Sequence, residues 1–314
     1  MEKIKLPNGL TVAAAALGAM DFGTRIGEED AFATLDAYMD AGGNFIDTSN
    51  NYAWWWQGAR GGESEHLLGK WLRTRGCRDR VVIATKVGFD FHGEGAGLKR
   101  EQIEHWIDVS LKNLGTDYVD LYYAHTDDPN TPLEETMEAF HHLVEKGKVR
   151  ALGCSNYDTW RAAEANMVAE QGGFTPYTVM QQRMTYLHPR FAFRPKYAFN
   201  ESVDRERLRF LISKNIPLVT YSCLCKGAYE DPSRLPAEYE NGERLTYIRE
   251  MAAAKGVAPS ALVIAYLANL YRLPGYPRVL PLFTATRAHL IENLAGLSLT
   301  LSDAELAEME AVGR

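Results

Sequence analysis

The feature that most constrains this chain is a rhythm of short apolar runs, each followed by a helical stretch. The runs fall at residues 15–18, 45–46, 81–84, 118–123, 149–153, 178–181, 217–221 and 278–282. The helical stretches fall at 28–41, 64–73, 100–114, 133–145, 159–170, 205–214, 245–255 with 260–270, and 287–294. Apolar residues recur at helical spacing, as in Ile103, Ile107, Leu111 and Leu114, with Gly115 as the stop. Continuous apolar runs suit strands buried on both faces, and strict alternation with helices implies a parallel sheet. Eight such units predict an α/β chain folded as a (β/α)8 TIM barrel, which takes roughly 250 residues. No G-x-G-x-x-G follows any run, which weakens an open doubly wound sheet. Residues 4–12 read as an N-terminal β-hairpin around a type I′ Asn8-Gly9 turn. Ser302 and Glu305 read as the capping box of an extra C-terminal helix. No linker or low-complexity tract divides the chain, so 1–314 is expected to be a single domain. The irregular stretch 183–201, with Tyr186, Phe191, Phe193, Tyr197 and Phe199, reads as a functional loop.

A net charge of -7 provides no basic footprint for nucleic acid. No apolar run approaches the roughly 20 residues that cross a bilayer, and the start lacks a signal-peptide pattern. Cys77, Cys154, Cys223 and Cys225 have no metal-ligand spacing and read as reduced thiols. A cytoplasmic protein without metal, membrane or nucleic-acid partner is expected. Nothing marks an obligatory interface between copies.

Function in such a barrel sits at the C-terminal ends of the strands. Asp47, Lys86 and His125 end the second, third and fourth runs, and Tyr52 lies on the loop after the second. Taken singly, Asp47 reads as a turn cap, Lys86 as a structural ion-pair partner, His125 as a polar neighbour and Tyr52 as rim packing. Gathered at one mouth, they make an acid catalyst. A free phenol has a pKa of about 10. A nearby ammonium favours the phenolate, so Lys86 is expected to lower the Tyr52 pKa while Asp47 holds Lys86 charged. Tyr52 would protonate an alkoxide formed when hydride reaches a carbonyl carbon, and His125 would hydrogen-bond the carbonyl or share the proton. Hydride must come from a cofactor.

At these residues the chain resembles the aldo-keto reductase family, nearly end to end. The resemblance rests on Phe45-Ile46-Asp47-Thr48-Ser49 with Tyr52, on Thr85-Lys86, on 118–125, on 147–157, and on Glu292-Asn293-Leu294. It implies a (β/α)8 barrel with Asp47, Tyr52, Lys86 and His125 as catalytic tetrad, and carbonyl reduction with NADPH, or less often NADH, without metal. It also implies cofactor contacts. Ser155, Asn156 and Gln181 would hold the carboxamide, and Tyr221 would stack on the nicotinamide ring. Ser222 and Leu224 would make backbone contacts, Thr286 and Arg287 would meet a 2′-phosphate, and Asn293 would meet the adenine. Cys223, Phe283 and His289 depart from the usual pattern.

Trp54, Trp55, Trp56 and Phe89 are the candidate substrate contacts, with Asp90, His92, Asp127 and Asp128 nearby. Aromatic faces mixed with carboxylates suit a polar, sugar-derived carbonyl; bracing of the loop by one or two tryptophans is the alternative. Two other functions stay open. One is a cofactor-bound sensor or accessory subunit of the same fold with little turnover. The other is a Schiff-base lyase or isomerase using Lys86.

Overall fold

The computed structural model describes residues 1–89, 97–190, 193–194, 201–239, 242–283 and 286–313. A two-stranded antiparallel sheet, β1 (Lys3–Lys5) and β2 (Thr11–Ala13), precedes the barrel. The barrel strands are β3 (Ala16–Gly18), β4 (Phe45–Asp47), β5 (Val82–Val87), β6 (Val119–Ala124), β7 (Val149–Ser155), β8 (Tyr177–Arg183), β9 (Leu218–Tyr221) and β10 (Val279–Phe283). They pair in parallel in sequence order, and β10 closes on β3. Around them run α1 (Glu28–Asp40), α2 (Glu63–Arg75), α3 (Arg100–Leu114), α4 (Leu133–Glu145), α5 (Thr159–Gly172) and α6 (Arg205–Ser213). α7 (Glu243–Lys255) and α8 (Pro259–Asn269) both separate β9 from β10, and α9 (Arg287–Ser298) and α10 (Asp303–Ala311) complete the chain. This is the expected (β/α)8 barrel with an added hairpin and terminal helix. Among the described residues no single helix is long and apolar enough to cross a membrane.

The pleat divides the apolar residues into two cores. One set, including Phe45, Val82, Ala84, Leu121, Val179, Val219 and Leu280, fills the barrel interior. The other, including Ile46, Ile83, Tyr122, Leu152, Met180 and Leu218, packs under the helices. Leu6 and Val12 of the hairpin join the interior set, so the hairpin covers one end of the barrel. The interior parity carries straight on to Asp47, Lys86, His125, Ser155, Gln181 and Tyr221, so the pleat that fills the barrel also aims the polar groups at its mouth.

Two local expectations change. The hairpin turn is closed by Gly9 N–H donating to Leu6 C=O at 2.9 Å, with Pro7 and Asn8 at its centre. Only Gly9 takes positive φ, 88°, and Asn8 does not, so the turn is not type I′. Pro7, with φ fixed near −65°, favours the first central position and moves the turn one residue forward. The stretch expected to be irregular from 183 is strand through Arg183, and Tyr186 is buried core whose hydroxyl donates to Met309 C=O at 2.9 Å. Phe191, Tyr197 and Phe199 lie outside the described residues. All four cysteines are free and buried.

Candidate active site

Asp47 and Lys86 are both buried without solvent exposure and form an ion pair at 2.5 Å. Lys86 Nζ donates to Asp47 Oδ1 at 2.5 Å, Thr48 C=O at 2.7 Å and Tyr52 Oη at 2.7 Å. Those three acceptors account for all three ammonium protons. Tyr52, half-buried on the loop after β4, donates its hydroxyl to Asp47 Oδ1 at 3.1 Å. The other carboxylate oxygen of Asp47 accepts from Gln181 Nε2 at 2.8 Å. His125, just past β6, packs edge-on against Phe89 at 4.6 Å and Tyr52 at 6.0 Å. Its Nδ1 lies 3.2 Å from Ser49 Oγ. The four predicted tetrad residues therefore meet at one mouth.

The electrostatics differ from the sequence expectation at one point. Burial, and then the Asp47 carboxylate, push the Tyr52 phenol well above its ordinary value. Lys86 was expected to lower it. Burial draws Lys86 itself down from the usual ammonium value, although Asp47 pulls it up. Asp47 accepts the phenol proton and so stabilises the protonated form. Burial, then the Lys86 charge, hold His125 well below the usual imidazole value, so it is neutral at neutral pH.

A second cluster adjoins the first. Ser155 ends β7 opposite Gln181. Asn156, at φ 58°, donates from Nδ2 to His125 C=O at 2.8 Å and to Ser155 Oγ at 3.1 Å. Tyr221 donates its hydroxyl to Asn156 Oδ1 at 2.6 Å. After β9 the chain turns through Ser222, exposed at φ 54°, and half-buried Leu224. Thr286 caps α9 and Arg287 opens it, both exposed. Asn293, on the same helix, is buried, and its Nδ2 has no hydrogen-bond partner among the described residues. A buried amide donor left without a partner costs about 1–3 kcal/mol, and such a group fits a ligand acceptor.

At the rim, Trp54 and Trp55 meet edge-on at 6.4 Å, with Trp55 51% exposed. Trp56 carries the Arg25 guanidinium over its ring at 4.8 Å, which braces the loop. Asp127 is bound by Arg161 Nε at 3.1 and 3.2 Å. Asp128 accepts from Leu98 N–H and Thr131 Oγ. Both carboxylates are thus committed to loop structure, against the expectation of a carboxylate-lined pocket. Asp90 and His92 lie outside the described residues.

Sequence reasoning missed Ser49, Gln182 and Tyr123. Gln182 Oε1 accepts from Asn156 N–H at 3.2 Å, and the Tyr123 ring faces Lys86 Nζ at 5.9 Å inside the barrel. Strand parity already assigns Tyr123 to the interior face. Ser49 stood in the key stretch, but its partner lies 76 residues away, and nothing local points to it.

The fold and cluster together define a (β/α)8-barrel protein with a phenol, an ammonium, a carboxylate and an imidazole at its mouth. Residues 15–314 match the Aldo/keto reductase family. The norsolorinic acid reductase stcV of Emericella nidulans is 33% identical over 96% of this chain and 78% of its own length. An aryl-alcohol dehydrogenase of Pestalotiopsis microspora is 30% identical over 96% of this chain and 76% of its own. A crystal structure of a thermostable aldo-keto reductase with the inhibitor epalrestat matches at TM-score 0.76 and 25% identity, covering 99% of each chain. The chain belongs to the aldo-keto reductase family, oxidoreductases that generally use NAD(P)H.

Proposed function

We propose that residues 1–314 act as one domain that reduces an aldehyde or ketone to the alcohol, with NADPH as preferred cofactor and Tyr52 as general acid. The contact of Tyr52, Lys86 and Asp47 at the barrel mouth carries this reading. The nicotinamide cofactor supplies the hydride when bound. Ser155, Asn156 and Gln181 would hold its carboxamide and Tyr221 its ring, with Ser222 and Leu224 making backbone contacts. Thr286 and Arg287 would meet the 2′-phosphate at the α9 N-terminus, and the unpartnered Asn293 amide the adenine.

A phenol held above pH 10 keeps its proton at neutral pH. An alkoxide is a far stronger base than a phenolate, so Tyr52 still gives the proton up as negative charge develops on the carbonyl oxygen. Lys86 then stands 2.7 Å from the phenolate oxygen and stabilises it. The same occupied ammonium has no lone pair for imine formation, which opposes the Schiff-base reading. Neutral His125 closes the mouth beside the carbonyl.

For substrate, an aryl or polycyclic carbonyl suits the site better than a sugar. Phe89, Trp54 and Trp55 offer flat faces, and the nearby carboxylates Asp127 and Asp128 are already paired. The names of the relatives stcV and the aryl-alcohol dehydrogenase point the same way. NADPH consumption over matched panels of aryl aldehydes, aryl ketones and keto-sugars tests this. Preferred turnover of the aryl panel is expected, and preference for keto-sugars would contradict it. Arg287→Ala should weaken NADPH binding about tenfold, the loss of one charge-assisted contact, and leave NADH binding unchanged. Equal weakening of both would remove Arg287 from the 2′-phosphate.

A further inference from the structure

The Asn156 amide is wired between two strand ends. Its Nδ2 donates to His125 C=O, just past β6, at 2.8 Å. Its Oδ1 lies 2.6 Å from the Tyr221 hydroxyl at the end of β9. A carbonyl oxygen only accepts, so the amide cannot be turned round at His125, and Tyr221 must be the donor to Oδ1. The place of the Tyr221 ring therefore depends on where Asn156 stands. Asn156 takes φ 58°, the left-handed region that asparagine enters more readily than most side chains. Its N–H donates to Gln182 Oε1 at 3.2 Å. The next residue, Tyr157, is buried, with its ring edge-on to Tyr177 at 5.7 Å. Its C=O accepts from Arg207 Nη2 at 2.9 Å.

Arg207 lies in the first turn of α6, where its N–H donates to the Asp204 side chain at 2.7 Å, so the root of the side chain is fixed. The guanidinium is buried. Among the described residues its Nε has no hydrogen-bond partner and it forms no ion pair. A buried charge without a counter-charge costs a fold stability rather than adding to it. The directed contact that this guanidinium does make is with the turn that carries Asn156. Its charge also reaches the site: burial raises the Tyr221 phenol, and the charges of Arg183 and then Arg207 oppose that rise.

We propose that Arg207 is a positioning residue for the nicotinamide end of the cofactor: through Tyr157 C=O it holds the left-handed Asn156 turn, and through Asn156 it holds the Tyr221 ring. This rests on the nicotinamide meeting Asn156 and Tyr221, as in the proposed function. Arg207 acts from behind the turn and does not touch the cofactor. Its loss should therefore loosen the nicotinamide end and leave the adenosine end, held by α9, as it was.

Titrations of NADPH and of adenosine 2′,5′-bisphosphate, which lacks the nicotinamide, test this without turnover. Arg207→Met should weaken NADPH about tenfold, the scale of one charge-assisted hydrogen bond, and leave the bisphosphate within about twofold. Unchanged bisphosphate binding also shows that the variant is folded. Arg207→Lys, which can still donate to Tyr157 C=O, should stay within about threefold of the wild type for both ligands. In an Asn156→Ala background, Arg207→Met should change NADPH binding by less than about twofold, because the two residues act in series. Equal weakening of both ligands would reduce Arg207 to a general structural role and overturn the proposal. So would unaltered NADPH binding in Arg207→Met, or a full tenfold loss added to that of Asn156→Ala. A wild type that binds the bisphosphate as tightly as NADPH would remove the nicotinamide contacts of the proposed function, and this inference with them.

Discussion

Lys86 shows how one residue carries structure and chemistry together. Its ammonium is fully buried, which is tolerable only because Asp47, Thr48 and Tyr52 accept its three protons. Lys86→Met should leave the Asp47 carboxylate buried without its counter-charge. A loss of about 3–5 kcal/mol in urea unfolding is expected, together with loss of turnover. An unchanged unfolding midpoint would show that the pair does not carry this charge in the folded state. The raised Tyr52 value has a kinetic consequence. In the proposed reduction the acid form is the active form, and a group titrating above its usual value keeps that form to higher pH. Reduction should therefore show no alkaline loss from the phenol below about pH 10. An alkaline limb near neutral pH that disappears in Tyr52→Phe would mean the phenol is lowered, as Lys86 alone would have it. Residue by residue, the tetrad was legible because strand parity and strand ends place it. The direction of the Tyr52 shift was not, because it depends on burial and then on the Asp47 carboxylate 3.1 Å away, although the Lys86 ammonium is closer, at 2.7 Å.

At the scale of elements, α9 is the piece whose packing bears most on the proposed cofactor binding. It carries Thr286, Arg287 and Asn293, and it meets α8 through Gly296. A Cβ on Gly296 would lie 2.2 Å from Ala261 C=O, a backbone atom that cannot step aside. Gly296→Ala should therefore push α9 off α8, destabilise by about 1–3 kcal/mol, and weaken NADPH binding by displacing Asn293. Thermal unfolding and a cofactor titration check the two halves. Full stability with unaltered binding would contradict the close approach. Element types and order were readable from periodicity, and the capping box Ser302–Glu305 formed as its spacing implied, with Glu305 N–H donating to Ser302 Oγ at 3.2 Å. The hairpin turn misled because Pro7 and Asn8-Gly9 signal two different turns, and the proline's fixed φ prevailed. Asp127 looked free because its partner, Arg161, lies 34 residues further on in α5.

The molecule as a whole divides its labour between two ends of one barrel. At one end the hairpin residues Leu6 and Val12 seal the interior. On the strands, Asp120 receives Arg78 and Arg150, both at 2.8 Å, and accepts from Ile83 N–H at 2.9 Å, tying β6 to its neighbours. At the other end the same interior parity leaves polar groups where apolar ones would otherwise continue. That division was visible in the chain, since eight apolar runs alternating with helices allow few other architectures, and five of them lead into Asp47, Lys86, His125, Gln181 and Tyr221. The wiring between those groups, Ser49 to His125 and Gln181 to Asp47, was not, because it joins residues 76 and 134 positions apart. The central claim is that the phenol of Tyr52 delivers the proton. The most direct measurement is single-turnover oxidation of NADPH by Tyr52→Phe beside the wild type, with an aryl aldehyde and with cofactor affinity measured on the same samples. The account predicts a loss of at least about a hundredfold in the turnover step, the usual worth of a positioned general acid, with NADPH binding unchanged. Turnover within a few fold of the wild type, at equal cofactor occupancy, would contradict it.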